Sequence, residues 1–447
     1  MRELTPAREQ QFLSMRQSAR GIFLAALKNA SIESAFGRHV HCERGVLRIC
    51  EDLYDLNSYT RVFVVSIGKA GHTMAAALEA QVGSRLEGIA ASSVEGAEQV
   101  RGFRYFRGGH PTPTAESIQA AEAILKSLNS LDANSRGIFL LSGGGSSIVE
   151  KPIDAEISLA DLVATYRVLV HSGAPIAEIN AIRKHLSAVK GGRLALAAYP
   201  AQQVSILVSD VPDATPDALA SGPTMPDSTS IHDCARIAEK YGLAGQFPAS
   251  VAELFRVGAL EETPKSDDAA FVRARWWPVL SNKVAMEEAA VAATAAGFTV
   301  ETDNSCDDWD YEQAADYLLG RLRELRRANE RVCLLSGGEV TVTVRNGGVG
   351  GRNQQFALAC AEKIAGEDIT VLSAGTDGVD GNSPAAGAVA DGSTVVRASG
   401  EGTAGKDAAH RALAGFNAFP FFDSLGDAIT TGPTGNNLRD LRILLAY

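Results

Sequence analysis

The chain has 447 residues, 45% of them hydrophobic, with 42 Lys and Arg against 53 Asp and Glu, a formal charge of −11. That length exceeds what one hydrophobic core ordinarily serves, so two domains are expected. The acidic balance excludes a nucleic-acid backbone as partner, which would need a basic footprint.

Taken in chain order, residues 7–30 interleave apolar side chains with Arg and Gln, which predicts one or two surface helices and no leader peptide. No run approaches the roughly 20 apolar residues of a membrane span. "TRVFVVSIGKAG" reads as a strand ending in glycines, "HTMAAALEAQV" as a helix and "GIAASS" as a short strand. A helix is predicted to open at Thr114, with Glu116 in its first turn favouring the dipole. "RGIFLLSGGGSS" is strand then turn, "LADLVATYRVLVHSG" a helix stopped at Gly173, and "PIAEINAIRKHLSAVKGG" another running to Gly191. "QVSILVSD" is a strand. Strands alternating with helices predict a mostly parallel sheet covered on both faces. A change of composition near residue 265 divides the chain into domains 1–265 and 266–447. The second is also read as α/β, with "GGEVTVTVRNGGVGG" as a strand pair or extended arm. The six cysteines form no CxxC and keep no metal-ligand spacing with histidine, so they are read as reduced thiols of a cytoplasmic protein.

Five apolar runs stop in the same way: "VVSIGKAG", "LLSGGGSS", "LVSDVPD", "LLSGGEV" and "VLSAGTDGVDG". In open α/β sheets ligands bind outside the carboxyl ends of strands, so these phrases are expected to line a crevice. The turn Ser142, Gly143, Gly144, Gly145, Ser146, Ser147 offers bare backbone on which amides converge on an anion; a tight strand-to-helix turn would look the same. Lys69, at another exit, is placed to neutralise a transferring phosphoryl group. Arg183 and Lys190 fall on one edge of a helical stripe and are candidate substrate contacts, with Lys184 expected in solvent. Asp210 directly follows an apolar run and is a candidate Mg2+ ligand or acceptor of a hydroxyl proton. Arg352 and Asn353 follow four glycines, with Arg352 offering a planar fork to an anion. Asp377 sits in a further turn suited to metal or substrate. A dinucleotide fingerprint is missing, since Gly68 and Gly71 give only GxxG.

With those residues in hand, the chain resembles the type II glycerate kinases (glycerate 2-kinases with a MOFRL domain), some of which are labelled hydroxypyruvate reductases. The resemblance is carried by "GGHPTP", "LLSGGGSS", "NAIRKHLSAVKGGRLA", "SDVPDATPDALASGPT", "GGEVTVTVRNGGVGGRNQQFALA", "SAGTDGVDGNSPAAGAVADGST" and "TGPTGNNLRDLR". It implies an N-terminal Rossmann-like three-layer domain, a C-terminal MOFRL-type α/β domain and an active site in the cleft between them. It implies ATP-dependent phosphorylation of D-glycerate at the 2-hydroxyl with Mg2+, with Lys69, Asp210 and Arg352 at the matching charged positions. An NAD(P)H-dependent hydroxypyruvate reductase is the alternative, and a non-catalytic glycerate sensor a third reading. The expected partners are D-glycerate and ATP, with neither nucleic acid nor membrane, and a homodimer as the assembly allowed for. Gln355 and Asn436 stand where the family commonly has Glu and Thr.

Overall fold

The computed structural model describes residues 5–83, 86–94, 99–344, 347–398 and 404–447. It divides into two compact units, one of residues 32–279 and one of residues 1–31 with 280–447. The division expected at 265 therefore differs from the observed one in two ways. The strand Ala274–Leu280 completes the first unit's sheet. The first 31 residues belong with the C-terminal half. Residues 6–29 form a single helix that buries Phe12, Met15, Ala19, Ile22, Phe23 and Ala26, so it is a core element and not a surface one. These six positions recur at three to four residues, one helical face. Ala19, Ile22, Phe23 and Ala26 pack with Leu335, Leu372 and Ile443.

In the first unit, three short strands (β1 Val40–Glu43, β2 Val46–Ile49, β3 Asp52–Asp55) make an antiparallel sheet. The main sheet holds β4 (Arg61–Ile67), β5 (Glu87–Ser92), β6 (Phe103–Arg107), β7 (Ser135–Ser142), β8 (Gln202–Val208) and β9 (Ala274–Leu280), in the order β6-β5-β4-β7-β8-β9. The pairings of β6, β5, β4, β7 and β8 are parallel. Val65, Ile67, Phe139, Leu141 and Leu207 are buried on one face against Ala120, Ile124 and Leu194 from covering helices. Burial on both faces is why these strands read as nearly continuous apolar runs. Because β4, β7 and β8 are adjacent and parallel, their carboxyl ends lie side by side.

The second unit has a mixed sheet of β10 (Thr299–Thr302), β11 (Val332–Gly338), β12 (Ile369–Gly375), β13 (Gly387–Asp391), β14 (Ala428–Ile429) and β15 (Asp440–Ala446), ordered β10-β11-β15-β12-β13-β14. Only β10 with β11 is parallel there; β15 runs antiparallel to both β11 and β12. Of the strand pair or extended arm expected over 337–351, the described residues show no strand pair: beyond β11 a single bridge joins Thr341 to Asp310, and residues 345–346 lie outside the described residues. The glycines of that stretch leave too little side chain to anchor a second strand. No helix among the described residues is long and apolar enough to cross a membrane.

Candidate active site

The exits of β4, β7 and β8 bring together Lys69, the glycine turn and Asp210. The Lys69 amide donates to the Gly143 carbonyl at 2.9 Å, and the Lys69 carbonyl accepts from Ser92 Oγ at 3.0 Å. Ser142 Oγ receives the Ala70 amide at 3.1 Å. Strand ends on both sides thus fix the lysine backbone. Its half-buried side chain makes no ion pair or hydrogen bond among the described residues. Gly144 has φ +80°, a left-handed conformation that a β-carbon disfavours, and it opens the short helix Gly145–Ile148. The first amides of any helix lack an intrahelical acceptor, so this turn presents donors. A β-carbon at Gly143 would collide with the Asp210 carboxylate. The aspartate therefore lies directly against the turn, and only glycine admits it. Ser147 Oγ closes the turn onto the Gly144 carbonyl at 3.3 Å, while Ser146 is only partly covered.

Arg183 and Lys190 do not share a helix edge. The helix ends at His185, and the chain turns through residues 186–192 before a second short helix, Arg193–Ala198. Lys190 is 1% exposed and ion-paired with Glu150, which also accepts from Tyr166 Oη and, at 2.5 Å, from Ser187 Oγ. Burial drives the Lys190 pKa well below its ordinary value. Its assignment as a substrate contact is corrected: the ammonium is spent inside the fold. Lys184, expected in solvent, is buried too, with Asp217 at 2.8 Å and Asp227 at 3.1 Å. Its two partners come from segments 33 and 43 residues away, which helical periodicity cannot reveal. Arg183 lies over the Tyr166 ring, 4.7 Å from its centroid, and its Nε is buried without a hydrogen-bond partner.

In the second unit Arg352 begins the helix Arg352–Lys363 and lines a cavity of about 510 Å3 together with Gly350, Gly351, Asp377 and Asp380. Its guanidinium takes Asp440 at two points, 2.6 and 3.0 Å, and Glu339 at 2.8 Å. Burial opposes its charge, but these carboxylates outweigh burial and raise its pKa. The helix amides do capture an anion, and it is the protein's own Asp380, which accepts from Asn353 N at 3.1 Å and Gln354 N at 2.9 Å. Burial, opposed by those amides, raises the Asp380 carboxyl to about 7. Asn353 is 1% exposed and accepts from Ser373 Oγ at 2.6 Å, so it orients the core end of the helix, correcting its assignment to substrate. Asp377 accepts the Val379 amide at 3.1 Å within its turn. Another cavity, of about 650 Å3, lies at the opposite, amino end of β4 beside Arg61 and Val62 and holds none of the candidate residues.

A hard-oxygen carboxylate beside an amide-rich turn suits Mg2+, which takes one or two carboxylates and completes its shell with phosphates and water. No group of three or more His, Cys, Asp or Glu side chains able to hold a metal occurs among the described residues.

Residues 18–256 match a domain of unknown function, DUF4147, and residues 332–440 match the MOFRL family. The chain is 34% identical over 393 residues to a D-glycerate 2-kinase from Thermotoga maritima, covering 86% of this chain and 90% of that one. The chain belongs to the MOFRL-type glycerate kinase family. A glycerate 2-kinase of this family from Pyrococcus horikoshii is 33% identical, with 86% and 87% covered. A family member from Agrobacterium vitis bears the name putative hydroxypyruvate reductase, at 35% identity and with 86% and 87% covered. The crystal structure of a Thermotoga maritima glycerate kinase superposes with a TM-score of 0.83 at 32% identity, covering 97% of this chain and 100% of that one. The two-domain α/β architecture expected from the sequence is thus the glycerate kinase fold.

Sequence reasoning missed the groups that orient the charged residues, namely Glu150, Tyr166, Glu339 and Asp440. It also left His110 inside the family phrase "GGHPTP" without a role. The signal for Asp440 was weak, a carboxylate opening the last apolar run, "DLRILLA".

Proposed function

We propose that the protein transfers the γ-phosphoryl group of ATP to the 2-hydroxyl of D-glycerate, giving 2-phosphoglycerate and ADP, and does so in the cytoplasm. The observation that carries this reading is the Lys69 ammonium, held at a strand exit with no counter-ion among the described residues, beside a glycine turn against which Asp210 is packed. Family membership supports it. The six cysteines, all free thiols, suit the cytoplasmic part of it.

In this reading the amides after Gly144 receive phosphate oxygens, and Lys69 offsets the charge that builds on the transferring group. Phosphoryl transfer needs little covalent help from a protein, so positioning and charge supply most of the rate. Asp210 aligns the attacking hydroxyl and accepts its proton as the oxygen bonds to phosphorus; the bridging oxygen departs with ADP. A carboxylate of Asp210 or Asp377, with the nucleotide's own phosphates, would hold Mg2+, which supplies charge neutralisation. In the other unit, Arg352 holds an anionic oxygen of substrate or nucleotide at its cavity, its fork aligned by Asp440 and Glu339.

The test is a coupled assay for ADP with ATP and D-glycerate, with the product's phosphate position read by phosphorus NMR. A phosphate on C3, or no ADP above the glycerate-free rate, removes the reading. A hydroxypyruvate-dependent loss of nicotinamide absorbance would replace it with the reductase.

A further inference from the structure

The loop between β6 and the helix Ala115–Leu128 carries a histidine that the mechanism above does not use. A β-carbon at Gly144 would fall 2.9 Å from His110 Cδ2 and 3.2 Å from His110 Nε2, and also 3.2 Å from Lys69 Cγ. The imidazole edge and the lysine stem therefore both lie against the middle of the glycine turn. Neither ring nitrogen of His110 has a hydrogen-bond partner among the described residues. The ring is open on its outer side.

Its placement is fixed by the loop around it. Ser117 Oγ accepts the Gly109 amide at 3.0 Å and the Thr114 amide at 3.1 Å. The Ser117 carbonyl accepts the Glu150 amide at 3.3 Å, tying the helix that follows His110 to the chain that leaves the glycine turn. At Gly108 a β-carbon would overlap the Ile148 carbonyl, so the loop backbone rests directly on the helix that the turn opens. Four contacts thus fix the backbone around a side chain that itself touches no acceptor among the described residues. Partial burial, and then the Lys69 ammonium, lower its pKa, which favours the neutral ring.

Resting on the proposed kinase reading, we propose that His110 is a further catalytic residue of this protein. Its ring N–H donates a hydrogen bond to an oxygen of the phosphoryl group seated over Gly144, beside Lys69. The imidazole keeps its proton throughout. Lysine supplies charge and histidine supplies direction, so the two roles separate on substitution.

The experiment compares His110→Ala, His110→Gln and wild type in steady-state kinetics, with titration calorimetry of Mg·ATP and a melting temperature for each. A donor that acts mainly in the transition state predicts a loss in kcat of about 10²-fold for His110→Ala. The Gln amide can reach the Nε2 position, so His110→Gln should recover at least about tenfold of that loss. Mg·ATP affinity should change less than kcat, and the melting temperature should stay with wild type. A kcat for His110→Ala within twofold of wild type overturns the proposal. Equal losses in the Ala and Gln variants overturn it as well, since a space-filling role would not distinguish a donor. A wild-type protein that makes no ADP with glycerate overturns the kinase reading itself, and this inference with it.

Discussion

Arg352 and Asp440 meet fork to fork. Nε lies 2.6 Å from one carboxylate oxygen and a terminal nitrogen 3.0 Å from the other, with Glu339 2.8 Å from the same terminal nitrogen. The pair joins the first residue of a helix to the first residue of β15, 88 positions apart. Two-point pairing fixes the guanidinium plane as well as its position. Arg352→Lys keeps the charge and loses that plane, so kcat/KM should fall at least about tenfold while the protein stays folded. Steady-state kinetics checks this, and near wild-type kcat/KM would show that charge alone suffices.

Lys69 and Asp210 occupy neighbouring strand exits on either side of the glycine turn. Their interactions are expected to strengthen toward the transition state, so removal should lower kcat more than it raises KM. Lys69→Ala and Asp210→Asn should each lose about 10²–10³ in kcat and still bind nucleotide. A variant that keeps most of its kcat marks that residue as structural.

Gly144 is left-handed and hemmed in by His110 and Lys69. Gly144→Ala should push both side chains from the turn and raise the apparent KM for ATP by about tenfold, about 1.4 kcal/mol of binding. The KM for glycerate should change less. Equal changes in the two constants would take the nucleotide phosphates off this turn.

Glu150 holds Lys190, Tyr166 and Ser187 in a fully buried cluster. Glu150→Gln strands the lysine charge and should cost about 3–5 kcal/mol of unfolding free energy in urea. Adding Lys190→Met should restore part of it, because the stranded charge is then gone. If the double variant is as unstable as the single one, the loss has another source.

Asp380 is held near 7 by burial, against an ordinary carboxyl near 4 in the unfolded chain. Its protonated form is thus favoured by folding. The stability it contributes is complete below about pH 4 and is lost as the pH rises through about 7. Denaturant titrations from pH 4 to 8 should show wild type losing more stability with rising pH than Asp380→Asn. Parallel curves would mean the carboxyl titrates alike in both states.

The strands that end in glycine phrases, the mostly parallel pairing of the first sheet and the crowding of glycines at strand exits were legible in the sequence; the strand order and the short strands Val40–Glu43, Val46–Ile49 and Asp52–Asp55 were not. Each legible feature rests on side-chain period or turn chemistry within about ten residues. Lys69, Gly144 and Asp210 could be singled out for that reason, since each lies just beyond an apolar run. Tertiary structure alone decided which charges face outward. Lys184 looks like a solvated lysine and Lys190 like a substrate contact until Asp217, Asp227 and Glu150 arrive from distant segments. Asn353 looks like a ligand until Ser373 and Asp380 enclose it. The helix of residues 6–29 has a readable apolar face, yet only the folded chain shows that the C-terminal half receives it. A buried charge must find a partner, and nothing local encodes which one, because the partner is set by how remote segments pack.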